Sequence, residues 1–250
     1  MGFFECFGYS LKRYDNNEMI FANQIKQKHF NKTKTISVHA YNDDNVRYWT
    51  IPVNNIEFYM FFDKDFNQVG WDFVSNTGEI NTFKVKSLLK ELNKVNDISH
   101  YGFIQIESNI CPLNLIVVNY DAVSESDIDK DVNVETTIFT ENIEIFKNEK
   151  VFYKKQKEDT KFSSESIIPT GMFPGRNPAS IWLNAKVVSV ERCCNDITYY
   201  AIIVECCGLK FNVFTTEKIG KKISVGNILS VKDDVFAKVI KKPTIEYKEQ

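Results

Sequence analysis

The sequence predicts an α+β, mainly β protein: an N-terminal mixed α+β domain followed by a small five-stranded OB-like β-barrel. Three observations carry this. Short β-branched and aromatic segments, broken by turn residues, recur along the whole chain. A polar stretch and then a Pro/Gly-rich one, together residues 153–180, divide it. Five strand signals follow within about 65 residues, in an order that suits a closed barrel.

In the first domain, residues 1–160, a weak helix is expected over 16–29. Strands are expected at 33–41, 47–53, 56–63, 69–75 and 80–85, and again at 102–108, 113–121, 134–140 and 143–147. The clearest helical spacing lies over 84–95, where Val85, Leu88, Leu89, Leu92 and Val95 share one face. Helices and strands do not alternate regularly enough for a doubly wound parallel sheet, and no internal repeat is evident.

Residues 161–180 read as a linker and then an ordered Pro/Gly loop. Met172 and Phe173 sit there between Gly171 and Pro174, with no periodic element to bury them. They are expected to plug the barrel base or dock on the first domain; the alternative is an exposed apolar patch for a partner. In the barrel region, 181–250, strands are expected at 180–193, 198–206, 209–216, 227–232 and 235–240. A long first strand, a meander, one longer connection and a final hairpin fit an OB-type barrel, with an SH3-like barrel or small sandwich as alternatives.

Composition narrows the class. Of 250 residues, 43 % are hydrophobic and 26 % charged, enough for a proper core. No apolar run reaches the ~18 residues of a membrane helix, and the N-terminal stretch lacks the pattern of a signal peptide. A cytoplasmic protein without membrane association is the expectation. Net charge is −2, but residues 161–250 carry 13 basic and 9 acidic side chains, which makes that part the better candidate for an anionic partner.

The stretch "VERCCNDITYYAIIVECC", residues 190–207, raises the question of a four-thiol site. With Asn195-Asp196 as a hairpin turn, Lys186 faces Glu205, Val187 faces Val204 and Arg192 faces Tyr199. Cys193 and Cys206 then stand roughly 27 Å apart along the ladder at ~3.4 Å per residue, and adjacent cysteines point to opposite faces. No metal and no cofactor is expected. Cys193 and Cys206 read as small core residues, and Cys194 and Cys207 as solvent-facing thiols.

The acidic runs at 63–73 and 127–135 imitate calcium loops but lack the required glycine, and read as a turn and a solvated loop. His29, His39 and His100 are scattered, and neither Cys6 nor Cys111 is marked as activated. No hydrolase elbow, phosphate loop, dinucleotide fingerprint or zinc-protease motif occurs. The expectation is therefore a non-catalytic binding protein with a protein partner. Single-stranded nucleic acid bound through the barrel is the alternative, and an enzyme whose site is assembled from distant residues a second one. The binding candidates are Lys186, Arg192, Tyr199, Lys210, Lys218, Lys221 and Lys222, with Met172 and Phe173 for a protein partner.

Overall fold

The computed structural model describes residues 3–14, 18–30, 37–40, 47–62, 68–89, 102–156, 161–241 and 245–248. Two helices, α1 (Phe3–Cys6) and α2 (Glu18–Phe30), lead into β1 (Ser37–Ala40), β2 (Arg47–Val53), β3 (Ile56–Phe62) and β4 (Gln68–Ser75). Next come β5 (Asn81–Leu89), β6 (Gly102–Glu107), β7 (Pro112–Val117), β8 (Asp131–Phe139) and β9 (Ile143–Phe146), then helix α3 (Glu149–Lys155). Beyond it lie β10 (Ser166–Pro169), β11 (Ser180–Cys194), β12 (Thr198–Cys206), β13 (Leu209–Thr216) and the one-turn helix α4 (Glu217–Gly220). The last strands are β14 (Ile228–Asp234), β15 (Phe236–Val239) and β16 (Ile245–Lys248).

The protein is mainly β, and α2 covers the weak helical signal. The stronger one is overturned: residues 81–89 form a strand, while 90–100 lie outside the described residues. Phe83 and Val85 are buried and Thr82 and Lys84 exposed, a period of two. This strand pairs on both sides, with β6 and with β8. That non-local pairing outweighs the helical spacing of its leucines.

One sheet has the order β16-β1-β2-β3-β4. Its Phe58, Met60 and Phe73 pack with Phe7, just after α1, and Phe21 of α2 in one apolar core. A second sheet includes a closed five-stranded barrel. β5, β6 and β7 form an antiparallel meander, β7 pairs parallel with β15, and β15 returns antiparallel to β8, which pairs with β5. Four strands of this ring precede residue 140 and the fifth is residues 236–239. The strands after 180 therefore do not close on themselves alone.

The exchange is reciprocal. β11, β12 and β13 form a second meander, β14 pairs with β11, and β13 pairs parallel with β8. Beyond β8 the chain passes to β9, which pairs with β14. Phe139 lies beside Phe214, and correspondingly Phe236 lies beside Ile116. Lys84 faces Glu107 and Lys186 faces Glu205, and in each strand a bulge follows the next pair. The two halves thus repeat one pairing pattern, with β5–β8 corresponding to β11–β14. The sequences share little more than Lys84-Val85-Lys86-Ser87 against Lys186-Val187-Val188-Ser189, too few residues to reveal the repeat.

Inside the two meanders runs one continuous core, with Ile104, Leu115 and Val134 from one half and Leu183, Val204 and Val213 from the other. A buried polar layer joins this core to the first sheet. Lys238, 7 % exposed, reaches Glu57 at 3.0 Å and Glu135 at 3.3 Å. Glu135 also accepts from the backbone N–H and hydroxyl of Thr77, at 2.7 and 3.0 Å. The same hydroxyl lies 2.7 Å from Asn212 Oδ1, so its single proton is shared between the two acceptors.

Candidate functional site

The hairpin of β11 and β12 starts in the expected register, with Lys186 opposite Glu205 and Val187 opposite Val204. A bulge at Val188 then shifts it by one, so Arg192 faces Tyr200 and Cys193 faces Tyr199. The bulge also turns the strand over. Ala185 and Val187 point into the barrel core, whereas Cys193 joins the core shared with the first sheet. Cys206 lies in the barrel core, so the two buried thiols belong to different cores. Burial pushes both thiols above their ordinary pKa, and does the same to Cys6. Cys207 is exposed at φ 51° and, with Gly208, makes the two-residue turn into β13. Among the described residues no three His, Cys, Asp or Glu side chains gather in a metal-holding arrangement.

The acidic residues of 127–135 are used separately. Asp127 caps a 3₁₀ turn at Ser124 and pairs with Lys241, Asp129 pairs with Lys86, and Glu135 is buried with Lys238. Residues 63–67 of the other acidic run, and His100, lie outside the described residues.

The nominated binding residues lie in different surroundings. Tyr199 is fully buried, with Phe214 at 6.3 Å between ring centroids, and is corrected from ligand platform to core. The outer face of β12 and β13 is covered by the N-terminal segments, which is why Tyr199, Ala201 and Phe214 face apolar neighbours there. Arg192 contacts Thr198 and Glu217 rather than Tyr199. Lys210 is paired with Glu79 at 2.7 Å. Lys186, Lys218, Lys221 and Lys222 are exposed. Met172 and Phe173 neither plug the barrel nor dock: they are 72 % and 56 % exposed. Their loop is nonetheless pinned, with Phe173 N–H bonded to Thr170, Arg176 N–H to Phe173, and Asn114 donating to Pro178.

A concave site lies elsewhere, on the outer face of β11, β14 and β9. Strand alternation builds its floor. Leu183 and Ala185 enter the core, so Trp182 and Asn184 face out. Leu229 and Val231 likewise leave Ser230 and Lys232 outward on β14. Over this face stand α3 and residues 161–164. Asn148 caps α3 by accepting from Val151 N–H, and Phe152 meets Phe146 edge-on at 5.0 Å. Gln156 clamps Phe162 through paired bonds of 2.6 and 2.9 Å, holding its ring 4.7 Å from Trp182.

The resulting cleft encloses about 430 Å³, within the ~300–1,000 Å³ usual for ligand sites. Its walls are Phe146, Phe152, Phe162 and Trp182. Lys232 Nζ stands 4.1 Å over the Trp182 ring and Lys155 Nζ 5.2 Å over Phe146. Lys147, Lys150, Lys154 and Lys161, on and beside α3 in the chain, are exposed. Such a site offers aromatic surface with cationic groups beside it. Sequence reading missed Phe146 and Trp182 because aromatic side chains on strands read as core until the inward positions are known.

Compared with known protein families, with curated protein sequences and with solved structures, the chain matches none. Among the described residues no helix is long and apolar enough to cross a membrane.

Proposed function

We propose that this is a non-catalytic binding protein built from two strand-exchanged OB-type barrels, and that its aromatic cleft stacks a base of single-stranded nucleic acid. The observation that carries the reading is the cleft itself: several aromatic rings and two lysines held over ring faces, beside an otherwise basic helix. Support for the OB-type reading comes from topology, a meander whose third strand pairs parallel with the last strand of a closed five-stranded ring. The second and third strands, where such barrels commonly hold oligonucleotides, are covered in this protein. In one half that cover is the N-terminal core, and in the other Phe103 and Ile116 are packed under Ala179.

The test is titration of a labelled single-stranded oligonucleotide at low salt. Trp182→Ala is expected to weaken binding by about 5- to 150-fold, the equivalent of ~1–3 kcal/mol for one base–aromatic stack. An unchanged affinity, or no binding by the wild type, rejects this reading.

A protein partner is the second reading, favoured by one observation: Met172 and Phe173 are exposed on a loop whose backbone is tied down. Pull-down with the tagged chain and with Met172→Ser/Phe173→Ser tests it; a stoichiometric partner retained by the variant removes the loop from consideration.

A further inference from the structure

Across the floor of the cleft runs one cross-strand polar row. Ser166 on β10 faces Asn184 on β11, Asn184 faces Ser230 on β14, and Ser230 faces Glu144 on β9. The hydrogen bonds in this row have a direction. Ser166 donates its hydroxyl to the Ser163 carbonyl at 3.1 Å, so its oxygen accepts from Asn184 Nδ2 at 2.9 Å. That fixes the Asn184 amide with Oδ1 turned away from Ser166. Asn184 is 1 % exposed, lines the cleft, and its Oδ1 has no partner. Such a buried, unpaired acceptor is costly unless a ligand satisfies it. Next to it, Ser230 Oγ accepts the Trp182 indole N–H at 2.6 Å, which leaves its own hydroxyl proton to give.

The other half of the molecule supplies the comparison. At the equivalent place Thr82 faces Asn133, and there the two side chains bond each other at 2.9 Å on an exposed surface. In the cleft the corresponding pair is turned to separate partners, Asn184 to Ser166 and Ser230 to Trp182, and both residues line the cavity.

We infer that the floor reads the edge of the bound ring and selects an adenine-type base, one presenting an N–H donor beside an acceptor nitrogen and then a C–H. The inference rests on the base-binding reading above. The amino group donates to Asn184 Oδ1, the neighbouring ring nitrogen accepts from Ser230, and the C–H comes to the Glu144 side of the row. Cytosine, and guanine read from its N1–H and O6, place a second acceptor against the Glu144 carboxylate. Thymine has the order only through N3–H, O4 and its methyl group, on a smaller ring. The same edge belongs to a single-stranded polymer or to a free nucleotide, and the experiment separates the two.

Tryptophan fluorescence of the full chain is titrated with AMP, CMP, N6,N6-dimethyl-AMP, and ten-residue oligomers of deoxyadenylate and deoxycytidylate. Adenine ligands are expected to bind at least tenfold more tightly than cytosine ligands. Dimethylation removes the donor without any change to the protein, and is expected to abolish that advantage. Asn184→Asp, which keeps the side-chain shape, serves as the variant arm and is expected to change the preference more than the melting temperature. Equal affinity for all bases, or indifference to dimethylation, overturns the inference while leaving base binding intact. Binding of AMP without either oligomer upholds the edge reading with a free nucleotide as the source. Absence of binding by every probe overturns both.

Discussion

Lys238→Met tests how the polar layer beneath the barrel is held. The lysine side chain is 8 % exposed and lies between Glu135, 2 % exposed, and Glu57, 17 % exposed. Methionine keeps the length of the side chain and removes the charge, leaving two carboxylates facing each other without a cation. Breaking a buried ion pair from one side typically costs ~3–5 kcal/mol. Glu135 retains its two bonds from Thr77, and Tyr59 donates to Glu57 at 3.3 Å, so the lower end applies, about 3 kcal/mol. At ~2–4 °C per kcal/mol for a chain of this size, the melting temperature falls by about 6–12 °C. Urea unfolding is the assay, with the midpoint moving and the slope constant. Adding Glu135→Gln removes one of the stranded charges and should restore part of the loss, a coupling of ~0.5–3 kcal/mol. A single variant within 1 kcal/mol of the wild type, or strictly additive effects in the pair, would refute the reasoning that these charges are mutually dependent.

Three further outcomes are expected. In native thiol titration with a chromogenic disulfide, Cys194 and Cys207 react first and the half-buried Cys111 more slowly. Cys6, Cys193 and Cys206 wait for unfolding, because burial both hides them and disfavours the thiolate; a third fast thiol contradicts this. Gly102→Ala places a Cβ 1.8 Å from the Tyr120 ring, and should destabilise by ~1–3 kcal/mol in chemical denaturation. Lys155→Ala and Lys232→Ala, at the mouth of the cleft, should each lower the salt-dependence slope of oligonucleotide binding by about 1; an unchanged slope means they touch no phosphate.

Much of the strand layout was legible because hydrophobic alternation and turn residues are local signals. β2 and β12 fall on their predicted segments, and the β11–β12 register is right as far as Val187. Two kinds of information were not local. The helical spacing of Val85, Leu88 and Leu89 gives way to pairing with Ile106, Ile104 and Phe103, 14 or more positions later. The bulge at Val188, which decides which core Cys193 enters, leaves no mark in a Val-Val-Ser sequence. The site followed the same division. Tyr199 was nominated from its strand position but faces a core contributed by the N-terminal helices. Trp182 and Asn184 became visible only once Leu183 and Ala185 were fixed as inward.

The strand exchange also sets an order of events during synthesis. β7 and β8 leave the ribosome roughly 100 residues before β15, the strand that lies between them in the finished ring. At ~5–20 residues per second, that is a wait of about 5–20 s. For this interval the nascent first half carries two open strand edges, the kind of surface that pairs with a neighbouring chain. The second half, for its part, emerges with its own missing strand already made. Translation speed between residues 140 and 236, and chaperone occupancy over that window, therefore bear on the yield of this protein.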